Sequence, residues 1–183
     1  MNLKTSATLE DLSAEPGKAE LVNGEIVKMS PTGEWPGYAG DEIYSSSREY
    51  ARRTGVGRAF SDNKAFRVDL PHRETISPDA AYYVGSSSKM KFIAGAPRFA
   101  AEVRSAGDYG SAAEQSMAEK RRDYFAAGTL VVWDVDLLSK DVVRVYRASD
   151  PVEPRIYRRG ERAEAEPAVP GWSMAVDDLF ERE

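Results

Sequence analysis

Apolar and polar positions change their period several times along the chain, and each change marks an element. Residues 8–14 (TLEDLSA) predict a short helix, with Thr8 and Asp11 forming an N-terminal cap and Glu15-Pro16-Gly17 ending it. Two apolar runs, 19–22 and 25–29, are separated by Asn23-Gly24. That dipeptide is the strongest short hairpin signal, because both turn positions need positive φ. Residues 30–40 (SPTGEWPGYAG) are rich in turn formers and read as a loop. Over 41–54 the spacing becomes helical, placing Ile43, Ser47, Tyr50 and Ala51 on one side, with Gly55 as the stop. Short strands are expected at 56–61 and 65–68, a turn at 70–73, and strands at 78–84 and 99–103. The polar stretch between the last two, 85–97, reads as flexible.

The pattern at 111–127 predicts a long helix, with Ser111 and Glu114 as a capping box and Gly128 as the stop. The run 130–135 is apolar except for Asp134 and suits a buried strand, and the alternating 142–147 completes a hairpin with it. Residues 156–157 fit one more edge strand, and 170–183 a loop with a short docking turn. No repeat or composition shift divides the chain, so 1–183 reads as a single α/β domain.

Composition narrows the chemistry more than the fold. The 183 residues are 42% hydrophobic and 30% charged, enough for a core and a solvated surface. Lys+Arg total 25 against 30 Asp+Glu, and the resulting charge of −5 excludes a protein that coats nucleic acid by bulk charge. There is no cysteine, which removes disulfide scaffolds, thiol nucleophiles and Cys-based metal sites. His72 is the single histidine, so His-rich metal sites are removed as well. No apolar run is long enough to span a membrane, and the amino terminus has no apolar signal-peptide core, so a cytoplasmic location is expected. If the chain is an enzyme, its chemistry must come from carboxylates, Lys, Arg and Tyr, with a hard metal as an option.

Three residues carry that chemistry. Glu102 lies in an otherwise apolar strand, Phe-Ala-Ala-Glu-Val, and a buried carboxylate costs several kcal/mol unless a cation or donors compensate. Alternation puts Phe99, Ala101 and Val103 on one face, and Ala100, Glu102 and Arg104 on the other. A plain Glu102–Arg104 pair at the strand end would satisfy this arrangement. Asp79 opens the preceding strand after Pro78, and if the two strands pair its carboxylate converges with Glu102. Two close carboxylates call for a cation between them or a shared proton, and oxygen ligands without His or Cys favour magnesium or manganese. Ala113, Met117, Lys120 and Tyr124 form one helical stripe, so Lys120 points inward, either to snorkel or to aim its ammonium at the carboxylates.

Pro-Asp, then Glu on the next strand, then an inward Lys resemble the PD-(D/E)XK nuclease constellation. More narrowly, the chain resembles the Uma-two family, a large bacterial group of small restriction-endonuclease-type proteins. The matching pieces begin with Ala19-Glu20-Leu21-Val22-Asn23-Gly24-Glu25-Ile26, Met29-Ser30-Pro31 and Ser77-Pro78-Asp79. They continue with Ala101-Glu102-Val103-Arg104-Ser105, Lys120, the stretch 124–128, residues 132–136, Val145-Tyr146 and Pro170-Gly171-Trp172. The resemblance implies a restriction-endonuclease-like α/β fold, with a mixed central sheet flanked by helices. It implies that Asp79, Glu102 and the Val103 carbonyl hold Mg (or Mn), that Lys120 takes the lysine role from the helix, and that Glu20 is an accessory acid, with Tyr124 in support. The chain departs from the pattern at Arg104, which stands at the motif's lysine position, at Ser105-Ala106-Gly107-Asp108, and in lacking the family's histidine near Gly37-Tyr38.

The expected function is metal-dependent hydrolysis of DNA phosphodiester bonds, with Arg104, Lys89 and Lys91 as nucleic-acid contacts unless they are ordinary solvated charges. A homodimer pairing through an exposed edge at 142–147 would let both strands be cut. The alternative is a catalytically silent binding or regulatory module that keeps the nuclease fold.

Overall fold

The computed structural model describes residues 6–181; residues 1–5 and the last two of the tail, with the readings that touch them, lie outside the described residues. Helix α1 (Leu9–Ala14) carries the predicted capping box, with the Thr8 hydroxyl accepting from the Asp11 N–H and the Asp11 carboxylate accepting from the Thr8 N–H. Strands β1 (Ala19–Val22) and β2 (Glu25–Lys28) form the expected hairpin, and Asn23 and Gly24 adopt φ of 51° and 70°. Two successive positive φ values are what a type I′ turn demands.

Helix α2 (Glu34–Thr54) replaces most of the loop expected at 30–40. Pro36 falls in its first turn, where a missing N–H costs little. Gly37 and Gly40 suggested a loop, but Ala39, Gly40 and Ile43 are buried, and that packing outweighs low propensity. The predicted side of α2 also packs inward through Ser47 and Ala51.

Strands β3 (Arg58–Ser61) and β4 (Phe66–Leu70) follow, and then β5 (Arg73–Ile76), where the sequence offered only a turn. Nothing in Arg73-Glu74-Thr75 alternates in polarity, yet Thr75 is fully buried and its hydroxyl accepts from the Leu21 N–H at 2.8 Å. Next come β6 (Ala80–Tyr83), β7 (Ile93–Ala94) and β8 (Phe99–Val103). The segment expected to be flexible therefore contains a strand, and the Ser88 hydroxyl accepts from Ala94 to steady it. Helix α3 (Ser111–Ala127) has Gly110 at its cap, which offers no side chain to bond; the expected Ser111–Glu114 box does not form because Ser111 is already the first helical residue, and Glu114 accepts from Arg104. The chain closes with β9 (Val131–Val135), β10 (Val143–Arg147), β11 (Asp150–Tyr157), β12 (Arg162–Glu164), β13 (Ser173–Ala175) and a final 3₁₀ turn.

The central sheet runs β11-β10-β9-β8-β6-β3, and a second sheet runs β2-β1-β5-β4-β7. Within the central sheet β8 and β9 are parallel, joined by α3, and the other neighbours are antiparallel. A parallel pair needs such a crossover, which is how a strand carboxylate and a helix lysine come to share one face. Helix α2 covers the face holding Phe99, Ala101, Val103 and Trp133. Helix α3 covers the other, where Tyr124 meets Ala100 and Val132, and Val68 and Ile76 of the second sheet join them. Trp172 of the tail stacks on Trp133 with ring centres 5.2 Å apart, fastening the carboxyl end to the core.

Strand β10 lies between β9 and β11, so 142–147 presents no free edge and a dimer cannot form there by strand pairing. The edge belongs to β11. No helix among the described residues is long and apolar enough to cross a membrane.

Candidate active site

Asp79 and Glu102 are brought to one cleft because β6 and β8 pair antiparallel up to Ala80 opposite Ala101, and these are the next residues on the two segments. The Asp79 N–H donates to the Ala101 carbonyl at 3.1 Å, and Asp79 Oδ2 accepts from the Val103 N–H at 2.7 Å. These bonds fix the carboxylate over the end of β8. Helix α2 passes behind it at Gly40, where a Cβ would lie 3.7 Å from that of Asp79.

Lys120 reaches the same point from α3. Its Nζ lies 2.8 Å from Glu102 Oε1 and 3.1 Å from Glu20 Oε1, and the Tyr124 hydroxyl, one turn later, donates to Glu102. The lysine does not snorkel: its side chain is 19% exposed. Burial alone would discharge this ammonium, but Glu102 and then Glu20 outweigh it and raise its pKa. Lys120 is held as a cation.

Glu20 is almost fully buried on β1. It accepts from Arg73 Nη1 at 2.5 Å and from the Ser77 N–H at 2.7 Å, and Arg73 also donates to Asp123 at 2.7 Å. Burial pushes the Glu20 carboxyl upward, yet Lys120, Arg73 and the Ser77 N–H together bring it below the usual range. Glu102 goes the other way. Burial, and behind it the neighbouring Asp79, hold its carboxyl above the ordinary range against the pull of Lys120.

Lys18 belongs to the cluster and was not expected there. Its Nζ bridges Asp79 Oδ1 and Asp62 Oδ1, each at 2.7 Å, with 13% of the side chain exposed. It stands two residues before Glu20, so period-two alternation was a signal available for it. Arg73, Asp62 and Asp123 left no comparable trace.

Arg104 departs from both roles considered for it. It does not pair with Glu102; it lies between Asp134 and Glu114, donating to Asp134 Oδ1 and Oδ2 at 2.8 Å each, with 6% of its side chain exposed. Its charge is spent inside the protein. Lys89 and Lys91 are exposed on the loop after β6, at the opposite end of that strand from Asp79, so the structure does not bring them to the cluster.

These groups line a cleft of about 670 Å³ that also admits Met29, Pro31, Ser105, Asp108 and Met117. Six carboxylates line it (Glu20, Asp79, Glu102, Asp108, Glu119, Asp134) against five cations (Lys18, Arg73, Arg104, Lys120, Arg121), so an anionic substrate meets no surplus of positive charge. Among the described residues no group of three or more His, Cys, Asp or Glu side chains is arranged to hold a metal. The donors that do converge, two carboxylates beside the Val103 backbone, suit magnesium, which keeps several waters and often takes only one or two protein carboxylates. A divalent ion there would relieve the repulsion that raises Glu102.

The sequence model of the Uma2 family, described as "Putative restriction endonuclease", matches residues 6–177. No curated protein matches the chain. Among solved structures, the chain is similar to "a putative nuclease belonging to DUF820 from Anabaena variabilis ATCC 29413". The TM-score is 0.73 at 16% identity, covering 94% of this chain and 97% of that one. At that identity the likeness speaks for the fold, a mixed sheet flanked by helices of the restriction-endonuclease type. The chain belongs to the Uma2 family.

Proposed function

We propose that the protein is a metal-dependent nuclease that hydrolyses DNA phosphodiester bonds in this cleft. The observation that carries the reading is that one cleft holds Asp79, bonded to the Val103 N–H, and Glu102, paired with the Lys120 ammonium. Asp79, Glu102 and the Val103 carbonyl would hold Mg²⁺ or Mn²⁺. When bound, such an ion supplies Lewis acidity toward a phosphoryl oxygen and makes hydroxide available near neutral pH.

The protein's own groups do the rest. Lys120, kept cationic by Glu102 and Glu20, serves as a fixed positive charge for the developing phosphorane rather than as a proton acceptor. Glu20 holds that ammonium in place while Arg73 and Ser77 hold Glu20. The Tyr124 hydroxyl orients the Glu102 carboxylate. Lys89 and Lys91 would touch the backbone of a long substrate away from the cut.

A second reading, a silent binding module, draws on one observation: ammonium groups already engage both candidate ligands, Lys18 on Asp79 and Lys120 on Glu102. One experiment separates the two. Wild type and Glu102→Gln are assayed for nicking of plasmid and cleavage of single-stranded DNA with Mg²⁺ or Mn²⁺, beside a manganese titration. The nuclease reading expects metal-dependent cleavage in wild type and loss by orders of magnitude in the variant. Equal activity in both would assign the cleavage to a contaminant. Inactivity and no metal binding in wild type would favour the module.

A further inference from the structure

Four of the five cations lining the cleft are neutralised where they stand. Lys18 is held by Asp62 and Asp79, Arg73 by Glu20 and Asp123, Arg104 by Glu114 and Asp134, and Lys120 by Glu20 and Glu102. Among the described residues Arg121 is the exception, with no carboxylate partner. Its guanidinium carbon instead lies 3.7 Å from the centre of the Tyr146 ring, much closer than the 5.9 Å between Lys120 and Tyr124. Tyr146 is itself buried in β10. Arg121 is half-buried against it, while its neighbour Arg122 is exposed and does not line the cleft.

We propose that Arg121, stacked on Tyr146, is a phosphate-binding subsite of the cleft, engaging a backbone phosphate of the nucleic acid away from the scissile bond. The inference rests on the nuclease reading above. With its carbon 3.7 Å from the ring centre, the guanidinium is supported by a surface that accepts none of its ion pairs, and its planar fork of donors can meet a phosphate with two hydrogen bonds. Because the ring already orders the side chain, little rotamer freedom remains to be lost on binding.

Register places the subsite. Tyr146 pairs with Val132, which pairs with Ala100, so the platform lies two strands across and two residues along from Glu102. With strands ~4.8 Å apart and a rise of ~3.3 Å per residue, that is roughly 12 Å between backbones. Groups around one metal ion sit at ~2.0–2.6 Å from it, so Arg121 addresses a different phosphate from the one being cut. Its contribution is to binding, and Tyr146 acts through it as a positioning residue.

The test compares wild type, Arg121→Gln, Arg121→Lys and Arg122→Gln. Binding of a labelled single strand and a duplex is followed by fluorescence anisotropy in Ca²⁺ across a KCl series, and cleavage by steady-state kinetics in Mg²⁺. Arg121→Gln is expected to weaken Kd about tenfold or more and to flatten the slope of log K against log salt by ~0.9 on duplex or ~0.7 on single strand. The kinetic loss falls on KM, Arg121→Lys recovers the salt slope but only part of the affinity, and Arg122→Gln moves neither. A slope in Arg121→Gln equal to that of wild type, with wild type still cleaving, overturns this inference alone. Equal losses in Arg121→Gln and Arg122→Gln also overturn it, since they would mark diffuse surface charge. A wild type with no salt-dependent binding removes it together with the nuclease reading.

Discussion

Glu20→Gln and Glu102→Gln remove one charge each from the same cluster and keep the side-chain shape, yet they should move stability in opposite directions. Glu20 is 4% exposed as a side chain and faces Arg73 and Lys120, both largely buried. Removing one partner of a buried ion pair costs about 3–5 kcal/mol. Here Arg73 keeps Asp123 and Lys120 keeps Glu102, which favours the lower end, about 3 kcal/mol. For a chain of this size that corresponds to a fall in Tm of roughly 6–12 °C. Glu102 is the reverse case, since burial and Asp79 raise its pKa and its charged form is disfavoured by folding. Neutralising it should leave Tm unchanged or slightly higher.

The pH dependence carries the same contrast. The Glu20 carboxyl is depressed on folding, so its stabilisation is present above the ordinary carboxylate pKa and disappears as pH falls through the lower folded value. Glu102 is raised, so ionising it weakens the fold as pH climbs through its folded value. Thermal melts of the three proteins in EDTA between pH 3 and pH 8 read both effects. The Tm gap between wild type and Glu20→Gln should be widest near neutrality and close only in acid. If Glu20→Gln melts with wild type at pH 7, or Glu102→Gln falls as far as Glu20→Gln, the charge assignment within the cluster is wrong.

Lys120→Met should abolish cleavage and lower Tm, because Glu20 and Glu102 then share a buried site without their common cation; an active variant would remove the fixed-charge role. Lys18→Met should tighten Mn²⁺ binding in a calorimetric titration, since the ammonium that occupies Asp79 Oδ1 is gone; weaker binding would show that Lys18 supports the metal site instead. Tyr124→Phe should cost about 1 kcal/mol of stability from the lost hydrogen bond and reduce Mn²⁺ affinity by loosening Glu102; unchanged affinity would limit the tyrosine to packing.

Local rules make much of this fold legible in the sequence. Asn23-Gly24 announced its hairpin, because few other pairs accept two positive φ values. A lone glutamate in an apolar strand and a lysine on an apolar helix stripe pointed inward, and both lie at the cluster. Elements without polarity contrast stayed hidden. Strand β5 is held by a buried threonine and by arginine, and α2 begins among a proline and glycines that local propensity assigns to a loop. The partnerships that complete the site were out of reach for another reason. Arg73 and Asp123 are 50 residues apart, and which side of α3 meets β10 depends on how the crossover docks. Arg104 misled because its residue type suits a phosphate, while its buried partner Asp134 sits on the neighbouring strand.

The cluster is stitched from both sheets. Glu20 and Arg73 come from the second sheet, Asp79 and Glu102 from the central one, and Lys120 from the helix between them. A chain in which only the central sheet has formed would hold its two carboxylates with Lys120 anchored on one side alone. Docking of the two sheets is therefore what brings Glu20 to Lys120. Local opening of the β1–β5 seam would part Glu20 from Lys120 and leave the ammonium held by Glu102 alone. The charge array is thus complete only where both sheets contribute their residues.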